Sequence, residues 1–194
     1  MPSPFGVLQR VLNSRGVPFQ TERAPEAHLA DAVAELRLPS RVVDLYREYG
    51  PAPNSSIPWV VEDLRLFSVT ELAAAQEGYA WVQPARTPSS VWPPHRVVIA
   101  SMFGDPFVAN TSEAAVPVEL ARHGAGTWAP QQVAPSVDAF VLALASLESV
   151  LLGDFDRDVW DEQGLRPAFI LAVERRLAEM LPPLDLANLV HALD

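Results

Sequence analysis

The chain has 194 residues, a formal net charge of −10 and a pI near 4.8, so it has the length of one domain with an appendage. Such acidity argues against nucleic-acid binding, which needs clustered basic side chains that neutralise phosphates. Because neither cysteine nor lysine occurs, disulfides, thiolate chemistry and catalytic or P-loop lysines are excluded.

The first part of the chain is predicted to be helical. Phe5, Leu8 and Leu12 recur at helical spacing, and a second helical stretch covers residues 26–36. A third helix is expected after Pro39, with an apolar face that includes Val42, Leu45, Tyr46 and Tyr49. We expect Gly50 to end this helix in the left-handed conformation.

The middle of the chain is predicted to form short strands, followed by a capped helix and a loop. Residues 51–56 have loop composition, and residues 57–61 and 64–67 have the apolar, β-branched character of strands. Ser68 and Glu71 have the spacing of a capping box, in which the hydroxyl accepts the backbone N–H of Glu71 and the carboxylate reaches back. The polar, proline-rich residues 83–94 are predicted to form a loop.

Three or four strands are predicted to follow, within residues 97–101, 107–111, 116–121 and 127–133. The turns between them are too short for parallel crossovers, so we expect antiparallel pairing. Ser136 is expected to cap a long apolar helix that Gly153 closes. The predicted fold is α+β, a mainly antiparallel sheet with flanking helices and a C-terminal helical extension. We place the α+β domain with its N-terminal helices at residues 1–152 and the extension at residues 153–194.

Several phrases of the sequence, in their order and spacing, resemble the SUKH superfamily of cell-wall-assembly regulators and bacterial toxin-immunity proteins. They span roughly residues 38–152 and comprise Leu38-Pro39 with Tyr46 and Tyr49-Gly50, Leu66-Phe67-Ser68-Val69 with Glu71-Leu72, Val98-Ile99-Ala100 with Gly104-Asp105, and Ser136-Val137-Asp138-Ala139-Phe140. The family usually has a glycine-richer turn before Gly-Asp, whereas this chain has Ala100-Ser101-Met102-Phe103. The resemblance implies an α+β domain that binds other proteins, often a toxin, and that needs no cofactor.

Four residues are predicted to contact a protein partner. Glu62 and Asp63 join two predicted strands, and Asp105 follows Gly104 in a turn where it either faces a partner or bonds its own backbone. Trp92 lies in the proline-rich loop, where full burial is harder; it is either an aromatic anchor for a partner or a packing residue.

Familiar catalytic and metal patterns do not occur in the sequence. Asp154, Asp156 and Asp158 have the first spacings of a calcium loop, but Val159 and Leu165 occupy the positions that need glycine and glutamate. The four histidines are scattered without ligand spacing, and no Gly-x-Ser-x-Gly elbow is present. We therefore expect neither an enzyme nor a metal or cofactor site.

The resemblance and the acidity together predict a protein-binding domain of immunity type, which neutralises a basic toxin by stoichiometric binding. The alternative is a housekeeping scaffold or regulatory module with no toxin partner, whose helical tail docks a partner or a second copy of the chain. No secretory signal pattern or apolar run of ~20 residues is seen, so we expect a cytoplasmic protein without membrane contact.

Overall fold

A six-stranded antiparallel sheet forms the centre of the fold in the computed structural model, which describes residues 3–123 and 128–193. Its strand order is β10-β9-β8-β7-β4-β3. These strands are β3 (Ser55–Ile57), β4 (Leu64–Leu66), β7 (Arg96–Met102), β8 (Asp105–Asn110), β9 (Val118–Leu120) and β10 (Gln131–Ala134). Two-residue strands make three small ribbons: β1 (Thr21–Glu22) with β2 (Gly50–Pro51), β5 (Trp81–Val82) with β6 (Thr87–Pro88), and β11 (Trp160–Asp161) with β12 (Gly164–Leu165).

Helices flank this sheet, and in the chain they lie before, within and after its strands. They are α1 (Pro4–Ser14), α2 (Glu26–Leu36), α3 (Ser40–Tyr49), the one-turn α4 (Leu72–Ala75), α5 (Val137–Glu148), α6 (Pro167–Leu177) and α7 (Pro183–His191), with a π-helical turn at Ser149–Asp154. None of the helices among the described residues is long and apolar enough to cross a membrane. The predicted fold class, α+β with a mainly antiparallel sheet, flanking helices and a C-terminal helical extension, is confirmed.

The strands follow the predicted order with shifted ends. The first predicted strand, residues 57–61, is displaced to Ser55–Ile57, because Pro58 has no N–H to continue the ladder and Trp59 turns into the core. Thr127, the first residue of the predicted 127–133 strand, lies outside the described residues. The predicted 83–94 loop holds part of the β5–β6 ribbon.

Two predicted helix ends differ in the structure. Gly50 is extended, with φ −67° and ψ 162°, because it pairs with Glu22 instead of capping α3. Glycine fits at this position for a steric reason, since a Cβ there would lie only 3.2 Å from the Tyr46 carbonyl oxygen. Tyr49, predicted on the apolar face of α3, is 45 % exposed. Gly153 lies inside the π-helical turn, where a Cβ would come within 2.7 Å of the Arg15 guanidinium.

The two predicted N-terminal caps differ in outcome. The Ser136 hydroxyl accepts the Ala139 N–H at 3.1 Å, which confirms the cap of α5. At the predicted capping box, the Glu71 carboxylate reaches back to the Ser68 N–H at 3.0 Å as expected. The Ser68 hydroxyl, however, donates to the same carboxylate at 2.9 Å, and the Glu71 N–H bonds the Ser68 carbonyl instead.

An aromatic column runs through the core and consists of Trp59, Phe107 and Phe140, each at most 1 % exposed. The Trp59 and Phe107 ring centroids are 6.0 Å apart, and those of Phe107 and Phe140 are 5.2 Å apart. Phe107 lies on β8 and Phe140 on α5, so the column joins the loop after β3, the middle of the sheet and the long helix. Such ring pairs add to the free energy gained by burial.

The C-terminal helices share this core. Leu189 and Leu193 are 1 % exposed, and the Trp59 indole N–H donates to the Ala192 carbonyl at 3.4 Å. The Asn188 amide donates to the Gln132 carbonyl of β10 at 2.8 Å. Helix α7 and the residues up to Leu193 are therefore packed on the α+β body through apolar contacts and hydrogen bonds.

Two leucines of α7 provide a test of this packing. Leu189→Ala should lower the free energy of unfolding by about 2–5 kcal/mol, because it leaves a cavity in the shared core. Leu184→Ala, at a position on the same helix that is 70 % exposed, should change it by less than about 0.5 kcal/mol. Urea denaturation followed by circular dichroism measures both free energies of unfolding. An equally small change in both variants would show that Leu189 of α7 does not contribute to the core.

Candidate protein-interaction surface

Glu62 and Asp63 lie in the loop between β3 and β4, as their sequence position predicts. The Glu62 carboxylate accepts the backbone N–H of Phe103 at 2.7 Å, so this loop is tied to the β7–β8 turn. Asp63 is exposed, and the Ser56 hydroxyl lies 3.5 Å from its carboxylate. The structure thus leaves Asp63 open to a partner and gives half-buried Glu62 an internal bond as well.

The β7–β8 turn places an aromatic ring outward. Phe103 and Gly104 have φ values of 50° and 85°, the positive pair that a type I′ two-residue hairpin turn requires. Bulky residues rarely adopt this backbone conformation. The Phe103 side chain is 54 % exposed. The Gly104 carbonyl accepts the Tyr79 hydroxyl at 2.8 Å, which fixes the turn from the other side.

Asp105, the third predicted acidic contact, already has an internal partner. Its carboxylate accepts the His123 N–H at 2.7 Å and contacts the His123 ring nitrogen. It also adds to the raised pKa of Tyr79, whose main cause is burial of the phenol. Asp105 is half-buried at the foot of the turn, so its carboxylate is less open to a partner than that of Asp63.

Trp160 brings a second exposed ring to the same end of the molecule. It is 40 % exposed, and its indole N–H donates to the Val60 carbonyl at 3.3 Å, so it lies beside the loop that carries Glu62 and Asp63. Val61 in that loop is 57 % exposed. We call Val61, Glu62, Asp63, Phe103 and Trp160 the hairpin-end surface.

More negative charge borders the hairpin-end surface. The segment around Trp160 carries exposed carboxylates at Asp154, Asp156, Asp158, Asp161 and Glu162. Asp158 pairs with Arg166 at 2.6 Å, and Asp154 lies 3.7 Å from Arg176, so arginines balance part of this charge. Among the described residues, no group of three or more histidine or acidic side chains is arranged to hold a metal ion. Exposed rings among carboxylates are suited to binding a basic protein.

Trp92, the remaining predicted contact, is 4 % exposed. Its indole N–H donates to the Arg96 carbonyl at 2.9 Å, and its ring packs against Tyr79 and Trp128 at centroid distances of 5.3 and 5.2 Å. Trp92 is buried although it lies in the proline-rich loop, where full burial was expected to be harder, because aromatic neighbours cover its ring. Trp92 has the packing role that the sequence left open; a partner contact by its ring stays a prediction.

Glu148 is a buried carboxyl group that the sequence analysis did not single out. It is 0 % exposed at the end of α5, and within the described part of the chain neither of its side-chain oxygens has a hydrogen-bond partner. Burial raises the pKa of Glu148 to about 8; Arg157 opposes this shift and Asp63 adds to it. The side chain is therefore mostly protonated at neutral pH, and its charge state is coupled to a member of the hairpin-end surface.

The raised pKa of Glu148 makes stability depend on pH. Between about pH 4.5 and about pH 8 the folded state holds a proton that the unfolded state releases. The free energy of unfolding should therefore fall as pH rises through this interval, by at most about 1.4 kcal/mol per pH unit, and this contribution should stay constant above it. In Glu148→Gln this contribution is absent.

Chemical denaturation at pH 5, 6, 7 and 8 measures this difference. The difference in free energy of unfolding between Glu148→Gln and the natural chain should shift in favour of the variant by a few kcal/mol from pH 5 to pH 8. Asp31→Asn, an exposed change on α2, is the control for loss of one carboxylate. Parallel pH dependence in the natural chain and Glu148→Gln would contradict a raised pKa.

No protein-family model matches the chain, and no curated protein matches it either. The hairpin-end surface is therefore defined by its own geometry: two exposed rings, an exposed valine and two carboxylates held together by the Glu62–Phe103 and Trp160–Val60 hydrogen bonds. The resemblance of the sequence phrases stays a prediction. The structure adds Val61, Phe103 and Trp160 to the acidic contacts predicted from the sequence.

Proposed function

We propose that this chain is a cytoplasmic protein-binding domain of immunity type that neutralises a basic toxin by stoichiometric binding. The observation that carries the proposal is the hairpin-end surface, where two exposed rings lie among carboxylates. The SUKH-like phrases support the class of partner, since such domains often bind toxins. The proposed action is steric: the domain covers the surface that the toxin needs.

The two kinds of side chain on the surface would contribute differently to such a complex. Aromatic rings that become fully buried in an interface dominate its free energy of binding, and Phe103 and Trp160 are the candidates here. Carboxylates at the rim mainly accelerate association with a positively charged partner, and they do so most at low ionic strength. The net charge of −10 acts in the same direction over longer distances.

A second candidate function is the scaffold or regulatory module. It is favoured by two exposed leucines on the C-terminal helices, Leu171 at 46 % and Leu184 at 70 % exposure. Deletion of the tail would not test this function, since α7 covers the core. The double variant Leu171→Ser/Leu184→Ser removes the exposed apolar groups and leaves buried Leu189 in place.

The two functions differ in which substitutions abolish partner binding. Tagged protein would be used to recover partners from the native lysate at low and high salt, with identification by mass spectrometry. For the immunity function we expect one basic toxin, recovered less well at high salt. Phe103→Asn should weaken its binding roughly tenfold or more, because asparagine tolerates the backbone conformation and removes only the ring.

Charge variants complete this experiment. Glu62→Gln/Asp63→Asn should slow association and reduce its salt dependence, whereas Asp31→Asn/Glu48→Gln removes the same charge from exposed positions on α2 and α3 and should have less effect. Cells that express the recovered toxin together with Phe103→Asn should grow more slowly than cells that express it together with the natural chain. Binding that survives the hairpin-end variants but is lost in Leu171→Ser/Leu184→Ser would establish the scaffold function instead.

A further inference from the structure

A cavity of about 290 Å³ lies between α2, the β5–β6 ribbon and the start of β7, on elements other than those that form the hairpin-end surface. Its lining includes Glu35, Trp81, Arg86, Trp92 and Arg96. The volume is close to the lower limit of ordinary ligand sites. Aromatic walls with both a carboxylate and guanidinium groups make it chemically distinct from a plain apolar groove.

The Arg86 side chain makes two contacts with other residues of the cavity lining. Its guanidinium carbon lies 4.2 Å from the centre of the Trp81 ring, and its terminal nitrogen pairs with the Glu35 carboxylate. The ring face lies on β5 and the carboxylate on α2, so the fold itself brings them together. A ring face on one side and a carboxylate at the edge are two kinds of contact that a planar guanidinium group prefers.

The contacts of Arg86 are of a kind that can be exchanged. The Arg86 and Glu35 side chains are 52 % and 34 % exposed, and exposed ion pairs contribute little to stability. Arg86 also holds a φ of 49°, which non-glycine residues rarely adopt. The other guanidinium in the lining, Arg96, pairs with Glu119 at 3.1 Å, so its charge is balanced.

We propose that this cavity is a binding site for the guanidinium group of an arginine on a partner protein, and that Arg86 is the intramolecular occupant which that arginine replaces. The incoming guanidinium would stack on Trp81 and pair with Glu35, and Arg86 would move into solvent. Lysine fits less well, because its ammonium group lacks the planar face and the fork of N–H donors. The proposal stands whether or not the hairpin-end surface binds a toxin.

The test uses the full chain and a single small probe. N-acetyl-L-argininamide is titrated into ¹⁵N-labelled protein, and the tryptophan indole N–H signals report binding. Removing the competing side chain in Arg86→Ala should tighten probe binding about tenfold relative to the natural chain. N-acetyl-L-citrullinamide, a neutral probe of nearly the same shape, should bind neither protein measurably.

Two further variants separate the site from general attraction of a cation to an acidic protein. Adding Glu35→Gln or Trp81→Leu to Arg86→Ala should abolish the tighter binding, whereas adding Asp31→Asn on the same helix as Glu35 should preserve it. If Trp81→Leu does not fold, the exposed Glu35→Gln change alone shows whether probe binding depends on this cavity. Equal affinity of Arg86→Ala and the natural chain for the arginine probe, or equal binding of both probes, would overturn the proposal.

Discussion

The aromatic column of Trp59, Phe107 and Phe140 positions the features on which the proposed binding depends. Trp59 anchors the chain just before Val61, Glu62 and Asp63, so burial of its ring sets where this loop reaches the surface. Through its indole N–H it also holds the end of α7. Phe140 fixes α5, which ends at Glu148. The loop after β3, the end of α7 and the helix that carries Glu148 are therefore each held by a side chain of the aromatic column.

The order and type of the elements could be predicted because they follow from local periodicity and turn composition. Ser136 illustrates this, since an N-terminal cap depends on residues within one helical turn. The ends of elements could not be predicted equally well, because distant partners decide them. Gly50 has the local signature of a helix end, yet pairing with Glu22 draws it into a strand. The π-helical turn beyond α5 likewise accommodates Arg15 from the other end of the chain.

The candidate site was predicted only in part, for a similar reason. Acidic residues in turns are visible in the sequence, so Glu62 and Asp63 could be found. The exposure of Phe103 depends on a hairpin geometry that is usually supplied by Asn-Gly, and Trp160 reaches the surface through a contact with Val60, a hundred residues away. Glu148 did leave a signal, as a lone carboxyl group in an apolar run, but its complete burial became evident only from the packing of α5.

The left-handed backbone of Phe103 has a consequence for how this protein can be changed. An L-residue in that conformation costs about 1–2 kcal/mol relative to an ordinary one, and asparagine or glycine would reduce the cost. A search for stabilised variants would therefore select replacements at this position first, and it would remove an outward ring of the hairpin-end surface. Thermostability alone is thus a poor guide in engineering this chain, because a more stable variant at this position lacks an exposed ring of the surface that is proposed to bind a partner.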